Sequence, residues 1–244
     1  MKYKGKKAAF YTLGCKLNFS ETSSIAGTFN EVGFERVDFD EKADVYVINT
    51  CSVTNQGDKS SRNIIRQATR KNPDAMVIVV GCYSQLKPEE VGQLEGVDLV
   101  LGTQEKFKIP EYLGNLQKKK TTEIRTTRLP DIKSYHQAFS WGDRTRSFLK
   151  VQDGCDYYCS FCTIPYARGR SRNDSIENTV NEAHKAVKKR FKEIVLTGVN
   201  IGDFGKSNGE NFLDLLKALE KTEGLKRLRL GSIEPNLLKN DIID

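Results

Sequence analysis

Over the first 115 residues, short stretches in which almost every position is apolar alternate with longer ones in which apolar positions recur every three or four residues. Residues 8–13, 45–49, 76–80 and 97–101 are of the first kind and predict strands buried on both faces. Residues 20–32 and 58–71 are of the second kind. Ile25, Phe29 and Val32 share one face of the first, which closes at Gly33, and Ile64, Ile65 and Ala68 share one face of the second, which ends before Asn72-Pro73. A short helix is expected to end near Leu113. This alternation predicts an α/β fold built on a doubly wound parallel sheet.

Periodicity disappears over residues 118–142, which hold Pro130 and two Thr pairs. It then resumes as a strand at 148–152, a helix at 176–190, a strand at 193–197, a helix at 212–220 and a strand at 227–230. Ile176, Val180, Ala183 and Val187 lie in register on the first helix, and Phe212, Leu215, Leu216 and Leu219 on the second. The expected organisation is an N-terminal domain over 1–115, a basic linker or irregular hairpin over 116–143, and over 144–244 either a small open α/β unit or about three βα units opening a partial TIM barrel.

A chain of 244 residues with 38% hydrophobic content can bury a core, and no apolar run nears the roughly 18 residues a membrane span requires. The basic start, MKYKGKKAAF, leads into a predicted strand rather than an apolar signal segment. Six cysteines are too few for a secreted disulfide scaffold, so the expected compartment is the reducing cytoplasm, where spaced cysteines point to metal or redox chemistry. The net charge of +7 concentrates between Asn115 and Lys150, which hold nine basic and three acidic residues. Such a band suits a polyanion such as RNA, or serves as a solvated linker. No feature of the sequence specifies an oligomeric state.

Cys15, Cys51 and Cys82 each lie just past the carboxyl end of a predicted parallel strand. In an open α/β sheet those ends face one crevice, so three thiols are expected to converge there; the alternative is three small buried hydrophobes. Cys155, Cys159 and Cys162 form a CxxxCxxC loop after the next predicted strand, with no fourth local ligand. Three thiolates at this spacing suit three corners of a [4Fe–4S] cube whose fourth iron is open to a ligand. The alternative is structural zinc completed by His136 or His184.

The loop CDYYCSFC resembles the signature of the radical S-adenosylmethionine (SAM) enzymes, with Phe161 at the aromatic position. Together with GCKLN, NTCSVTN and GCYSQ upstream and TIPYARGRSR downstream, the whole chain resembles the methylthiotransferases, which carry two [4Fe–4S] clusters. GCKLN and CSVTN look most like the branch that modifies N6-threonylcarbamoyladenosine at position 37 of tRNA. The isopentenyladenosine branch usually shows GCQMN and the ribosomal-protein branch GCPKN.

The resemblance implies that Cys155, Cys159 and Cys162 hold the cluster that binds SAM and cleaves it to methionine and a 5′-deoxyadenosyl radical, which takes hydrogen from C2 of the adenine. It implies that Cys15, Cys51 and Cys82 hold the second cluster, the carrier of the transferred sulfur. Phe161 would lie beside the SAM adenine, Asn200 at its amino group, Glu234 at the same mouth, and Arg168, Arg170 and Arg172 against SAM carboxylate or tRNA phosphate. The implied partners are the tRNA anticodon loop and an electron donor such as flavodoxin or ferredoxin. Family members are longer, with a six-strand barrel and a C-terminal RNA-binding domain, so a C-terminally truncated protein of weak or no turnover is expected. The competing readings are a non-catalytic iron–sulfur or RNA-binding module, a zinc-stabilised RNA-binding protein, and an isopentenyladenosine enzyme.

Overall fold

In the computed structural model, which describes residues 1–141 and 145–243, two parallel sheets are each covered by helices. The predicted boundary at 143/144 lies outside the described residues, as do Asp143 and Arg144 of the basic band and the terminal Asp244.

The first sheet has six strands: β1 (Lys7–Thr12), β2 (Glu35–Val37), β3 (Val45–Thr50), β4 (Met76–Gly81), β5 (Leu99–Leu101) and β6 (Glu123–Arg125). Their order is β2-β1-β3-β4-β5-β6, and every pair is parallel. Central β3 and β4 are buried at every position, as unbroken apolar runs covered on both faces should be. One face of the sheet packs Ile25, Phe29, Val47, Ile78 and Leu99; the other packs Tyr46, Ile48, Ile65, Val79 and Val100.

Helix α1 (Lys16–Val32) and helix α2 (Asn55–Lys71) cross between strands. Each starts before its apolar periodicity does, because Cys15 and Thr54 occupy the N-cap positions; the Thr54 hydroxyl accepts the Gly57 N–H at 3.0 Å. Short helices α3 (Cys82–Leu86), α4 (Pro88–Gly92) and α5 (Ile109–Tyr112) complete this half.

The expected irregular linker is corrected by β6, which adds a sixth strand beside β5 within 116–143. A three-residue edge strand carrying Glu123 and Arg125 has no apolar run to announce it, and such charges protect a sheet edge from further pairing. Much of the basic band is also satisfied internally. Lys118 pairs with Asp98 at 2.8 Å, and Lys119 and Arg125 both pair with Glu123.

The second sheet has the order β7 (Ser147–Lys150), β8 (Glu193–Thr197) and β9 (Arg227–Arg229), all parallel. After the short α6 (Ile164–Arg168), helices α7 (Ile176–Lys188) and α8 (Phe212–Glu220) provide the crossovers, and α9 (Asn240–Ile243) follows β9. Ser175 and Asn211 cap α7 and α8 by accepting the N–H groups of Asn178 and Asp214. Sequential parallel order with helical crossovers is how a βα barrel begins. Helix α1 is buried nearly all round because it lies between the two sheets, with Phe19 edge-on to Phe148 at 5.9 Å. Among the described residues no helix is long and apolar enough to cross a membrane.

Candidate functional site

Strands β1, β3 and β4 are neighbours, so parallel pairing brings their carboxyl ends side by side. Cys15 follows β1 as the N-cap of α1, Cys51 follows β3 directly, and Cys82 follows β4 as the first residue of α3. Cys15 is exposed, Cys51 half-buried and Cys82 buried. The backbone is shaped around them: Gly14 has φ +97°, and a Cβ there would stand 2.9 Å from Cys51 Cβ and 3.1 Å from its Sγ. Asn18 joins two of the loops by donating to Leu13 O at 2.8 Å and Thr50 O at 3.1 Å. Burial pushes the Cys82 thiol pKa up, against the pull of Arg168 and Lys106; Cys15 and Cys51 are close enough to raise it further.

The second set sits at the carboxyl end of β7. The Cys155 N–H donates to Gly169 O at 3.0 Å, and Gly154 turns the chain at φ +74°, where a Cβ would lie 2.0 Å from Arg170 O. Gln152 fastens the loop from below. Its Nε2 donates to Gly154 O at 2.8 Å and Ser171 Oγ at 2.9 Å, while its Oε1 accepts the N–H groups of Val199 and Asn200 at 2.9 Å. Cys155 is buried, Cys162 half-buried and Cys159 exposed. Burial raises the Cys155 pKa, an N–H bond from Tyr157 opposes the rise, and Cys162 and Cys159 add to it.

Six further predicted residues fall in different places. Phe161 lies within this loop and is 88% exposed. Asn200 is buried; its Oδ1 accepts the Glu234 N–H at 3.2 Å, and its Nδ2 has no hydrogen-bond partner among the described residues. Glu234 stands beyond β9 with an exposed side chain, so what reaches Asn200 is its backbone N–H rather than its carboxylate.

Arg168, expected against SAM carboxylate or tRNA phosphate, is instead buried between the two sheets. It donates to Glu21 Oε1 and Oε2 at 3.1 Å each, to Asp153 Oδ1 at 2.8 Å and to Asn18 Oδ1 at 2.6 Å. Arg172 is likewise turned inward, to Asp153 at 3.1 Å and Ser134 O at 2.9 Å, whereas Arg170 is exposed. The helix carrying Arg168 packs toward α3, and with it come contacts such as Thr103 Oγ1 to Ala167 O at 2.7 Å.

Sequence reasoning missed the carboxylates that hold Arg168, Glu21 and Asp153, and the two lysines that share them, Lys106 and Lys150. Lys150 Nζ donates to Glu21 at 2.9 Å and Asp153 at 2.8 Å, and Lys106 Nζ donates to Glu21 at 2.6 Å. A signal was present, since Glu21 and Lys150 interrupt otherwise core-facing positions of a helix and a strand.

A groove of about 440 Å³ is lined by residues that follow Cys51 and Cys162 in the chain, with no cysteine in its lining. Ser52, Val53 and Thr54, which follow Cys51, form one wall, and Thr163, which follows Cys162, forms the other, with Asp58 and Lys87 between them. His136 stacks on Phe107 at 4.5 Å between ring centroids, and His184 is exposed on α7.

Two family models match the chain in the same two halves: "Uncharacterized protein family UPF0004" over residues 7–102 and "Radical SAM superfamily" over residues 149–239. Threonylcarbamoyladenosine tRNA methylthiotransferase MtaB of Bacillus subtilis (strain 168) is 43% identical over 242 residues, which are 97% of this chain and 53% of that protein. Over nearly its whole length the chain is similar to the radical SAM methylthiotransferase family.

Within that family, the MtaB of Aquifex aeolicus (strain VF5) is 40% identical over 97% of this chain and 58% of its own length. A tRNA-2-methylthio-N(6)-dimethylallyladenosine synthase of Clostridium botulinum is 30% identical over 96% and 54%. The chain thus spans about half the length of these relatives. Among solved structures, the radical S-adenosylmethionine methyltransferase TsrM from Kitasatospora setae superposes with a TM-score of 0.57 at 13% identity, over 96% of this chain and 61% of that one. This likeness concerns the fold alone.

Proposed function

We propose that this methylthiotransferase chain serves the transfer of a methylthio group to C2 of N6-threonylcarbamoyladenosine at position 37 of tRNA. The observation that carries the proposal is the convergence of Cys15, Cys51 and Cys82 on three adjacent strand ends, in a chain that also places a CxxxCxxC loop at the carboxyl end of β7. Two chemistries that act on one base need two separate cysteine sites. The choice of base is supported by the 43% and 40% identity to relatives named for threonylcarbamoyladenosine, against 30% to the one named for dimethylallyladenosine. In this reading residues 1–115 are the cluster-binding domain, 116–143 the connection, and 144–244 the opening βα units of the SAM barrel.

By residue type and spacing the donor sets suit two [4Fe–4S] clusters, and among the described residues no three such side chains are already gathered around one ion position. Cys155, Cys159 and Cys162 would hold one, leaving an iron for the amino and carboxylate groups of SAM, and Cys15, Cys51 and Cys82 would hold the other. Among the described residues the buried Nδ2 of Asn200 and the buried Oδ2 of Asp203, the latter close enough to act on Cys155, have no hydrogen-bond partner and are polar atoms prepared for a bound group. In the first set Gly14 lets the loop pass close against Cys51, where a Cβ would stand 2.9 Å from the Cys51 Cβ. When bound, the loop cluster supplies the electron that cleaves SAM, delivered by a reducing donor such as flavodoxin or ferredoxin.

The chain's own residues position and shield. Gln152 and Gly154 fix the cysteine loop relative to Asn200, so a cosubstrate held at the loop would meet the Asn200 amide. Phe161 offers an exposed ring for the SAM adenine. Val53 and Leu86 give the groove apolar wall that displaces water from a reactive base, while the Ser52, Asp58 and Lys87 network (2.5 Å and 2.7 Å) fixes its polar side.

The testing experiment is incubation of the anaerobically reconstituted chain with SAM, dithionite and tRNA carrying or lacking the threonylcarbamoyl group, followed by nucleoside mass analysis. Methylthiolation of the threonylcarbamoyl form alone is the expected product, at low turnover; modification of isopentenyladenosine instead would overturn the assignment of the base.

A further inference from the structure

The ion network between the sheets has a charge imbalance that the fold does not resolve. Four cations, Lys106, Lys150, Arg168 and Arg172, surround two anions, Glu21 and Asp153, and all six are buried. Their hydrogen bonds are satisfied, in part by neutral acceptors: Asn18 Oδ1 for Arg168, and the carbonyls of Ser134, Arg168 and Arg170 for Arg172. The ring of Phe107 lies 5.3 Å and 5.4 Å from the Lys106 and Lys150 ammonium groups, and the ring of Tyr135 lies 5.1 Å from Lys150. These contacts soften the burial of charge without cancelling it. A buried excess of positive charge is expensive unless an opposite charge stands close by.

The surplus has a direction. Arg168 donates to Asn18, in the first turn of the helix that Cys15 caps, and Lys106 shares the Glu21 carboxylate of that helix with it. Asn18 makes the physical link: its Oδ1 accepts from Arg168 at 2.6 Å and lies 3.9 Å from Cys15 Sγ, while its Nδ2 holds the carbonyl that precedes Cys51. We propose that this network is a fixed positive counter-charge for the site formed by Cys15, Cys51 and Cys82, supplied to the first domain largely by the second. The inference rests on the reading that those three thiolates hold an iron–sulfur cluster, which is anionic with its three ligands. Residues Lys106 and Arg168 are then positioning residues that favour the reduced, more negative state, and Arg168 comes from a segment more than 140 residues away in sequence.

The test isolates the strand-end site by replacing Cys155, Cys159 and Cys162 with Ala in the full chain, reconstituting it, and titrating the remaining cluster by EPR. On that background Lys106→Met is expected to move the midpoint potential down and Asp153→Asn to move it up. If Lys106→Met does not fold, Arg172→Met carries the same expected sign. A network that only glued the domains together would lower stability in both variants without opposite potential shifts, and shifts of the same sign, or none, overturn the proposal. Absence of iron on the triple-Ala background overturns the cluster reading itself, a result distinct from an unmoved potential.

Discussion

Arg168, from the helix after the CxxxCxxC loop, holds both carboxylate oxygens of Glu21, from the helix that begins at Cys15, at 3.1 Å each. One fully buried ion pair therefore couples the backbone segments of the two cysteine sites. Burial opposes ionisation of Glu21, yet Arg168, Lys106 and Lys150 together hold its carboxyl well below the usual range.

Removing Glu21 should therefore be severe. Glu21→Ala leaves four buried cations facing one carboxylate, and loss of one partner of a buried pair costs about 3–5 kcal/mol. Urea unfolding of the variant should show that loss, while Lys6→Ala, which breaks an exposed pair with Asp44, should stay within about 1 kcal/mol of the parent.

Gly154→Ala should cripple the loop site selectively. At φ +74° a side chain is strained, and the 2.0 Å approach to Arg170 O forces the Cys155 turn apart. Iron retained after reconstitution should fall by about half, the strand-end site keeping its share; full retention would show that the turn is not what holds Cys155 in place.

Asn200 and Glu234 separate by experiment. Asn200→Ala removes the buried amide with the free Nδ2, and a lost hydrogen bond to a charged group corresponds to about 1.5–3 kcal/mol. SAM binding measured by calorimetry on the reconstituted protein should weaken by at least about tenfold. Glu234→Ala, which removes an exposed carboxylate but keeps the backbone N–H, should leave the affinity within about twofold.

The structure also predicts a slope in acid. Burial pushes the His136 pKa down to about 4, and Lys150, Lys106 and Arg172 push the same way. The unfolded chain, with a histidine near 6.5, then binds a proton that the folded chain refuses. This group's contribution is fully present above about pH 6.5 and is lost as the pH falls toward 4. The urea midpoint should decline across that window, and His136→Phe, which retains a ring against Phe107, should flatten this part of the decline.

Much of this architecture is legible in the sequence because its signals are local. β3 and β4 are unbroken apolar runs, the helices repeat at 3.6 residues, and the cysteines sit where strands stop. The edges β2 and β6 are not legible, because a three-residue strand with Glu, Arg and Val or Ile has no period to detect. The inward turn of Arg168 is hidden for a different reason. Its partners stand 15, 147 and 150 residues away, so an arginine in a glycine-flanked loop looks like a solvent-facing cation until the fold brings Glu21 to it. The same holds for Lys106 and Lys150, 85 and 129 residues from Glu21.

The central claim is that two cysteine triads make two separate cluster sites. Anaerobic reconstitution with iron and sulfide, with iron counted per chain and typed by Mössbauer spectroscopy, tests it most directly when the Cys155/Cys159/Cys162→Ala variant is run alongside. The account predicts about eight irons in the parent chain and about four in the variant, all in [4Fe–4S] form. Zinc in place of iron, or a variant that retains no iron at all, would contradict it.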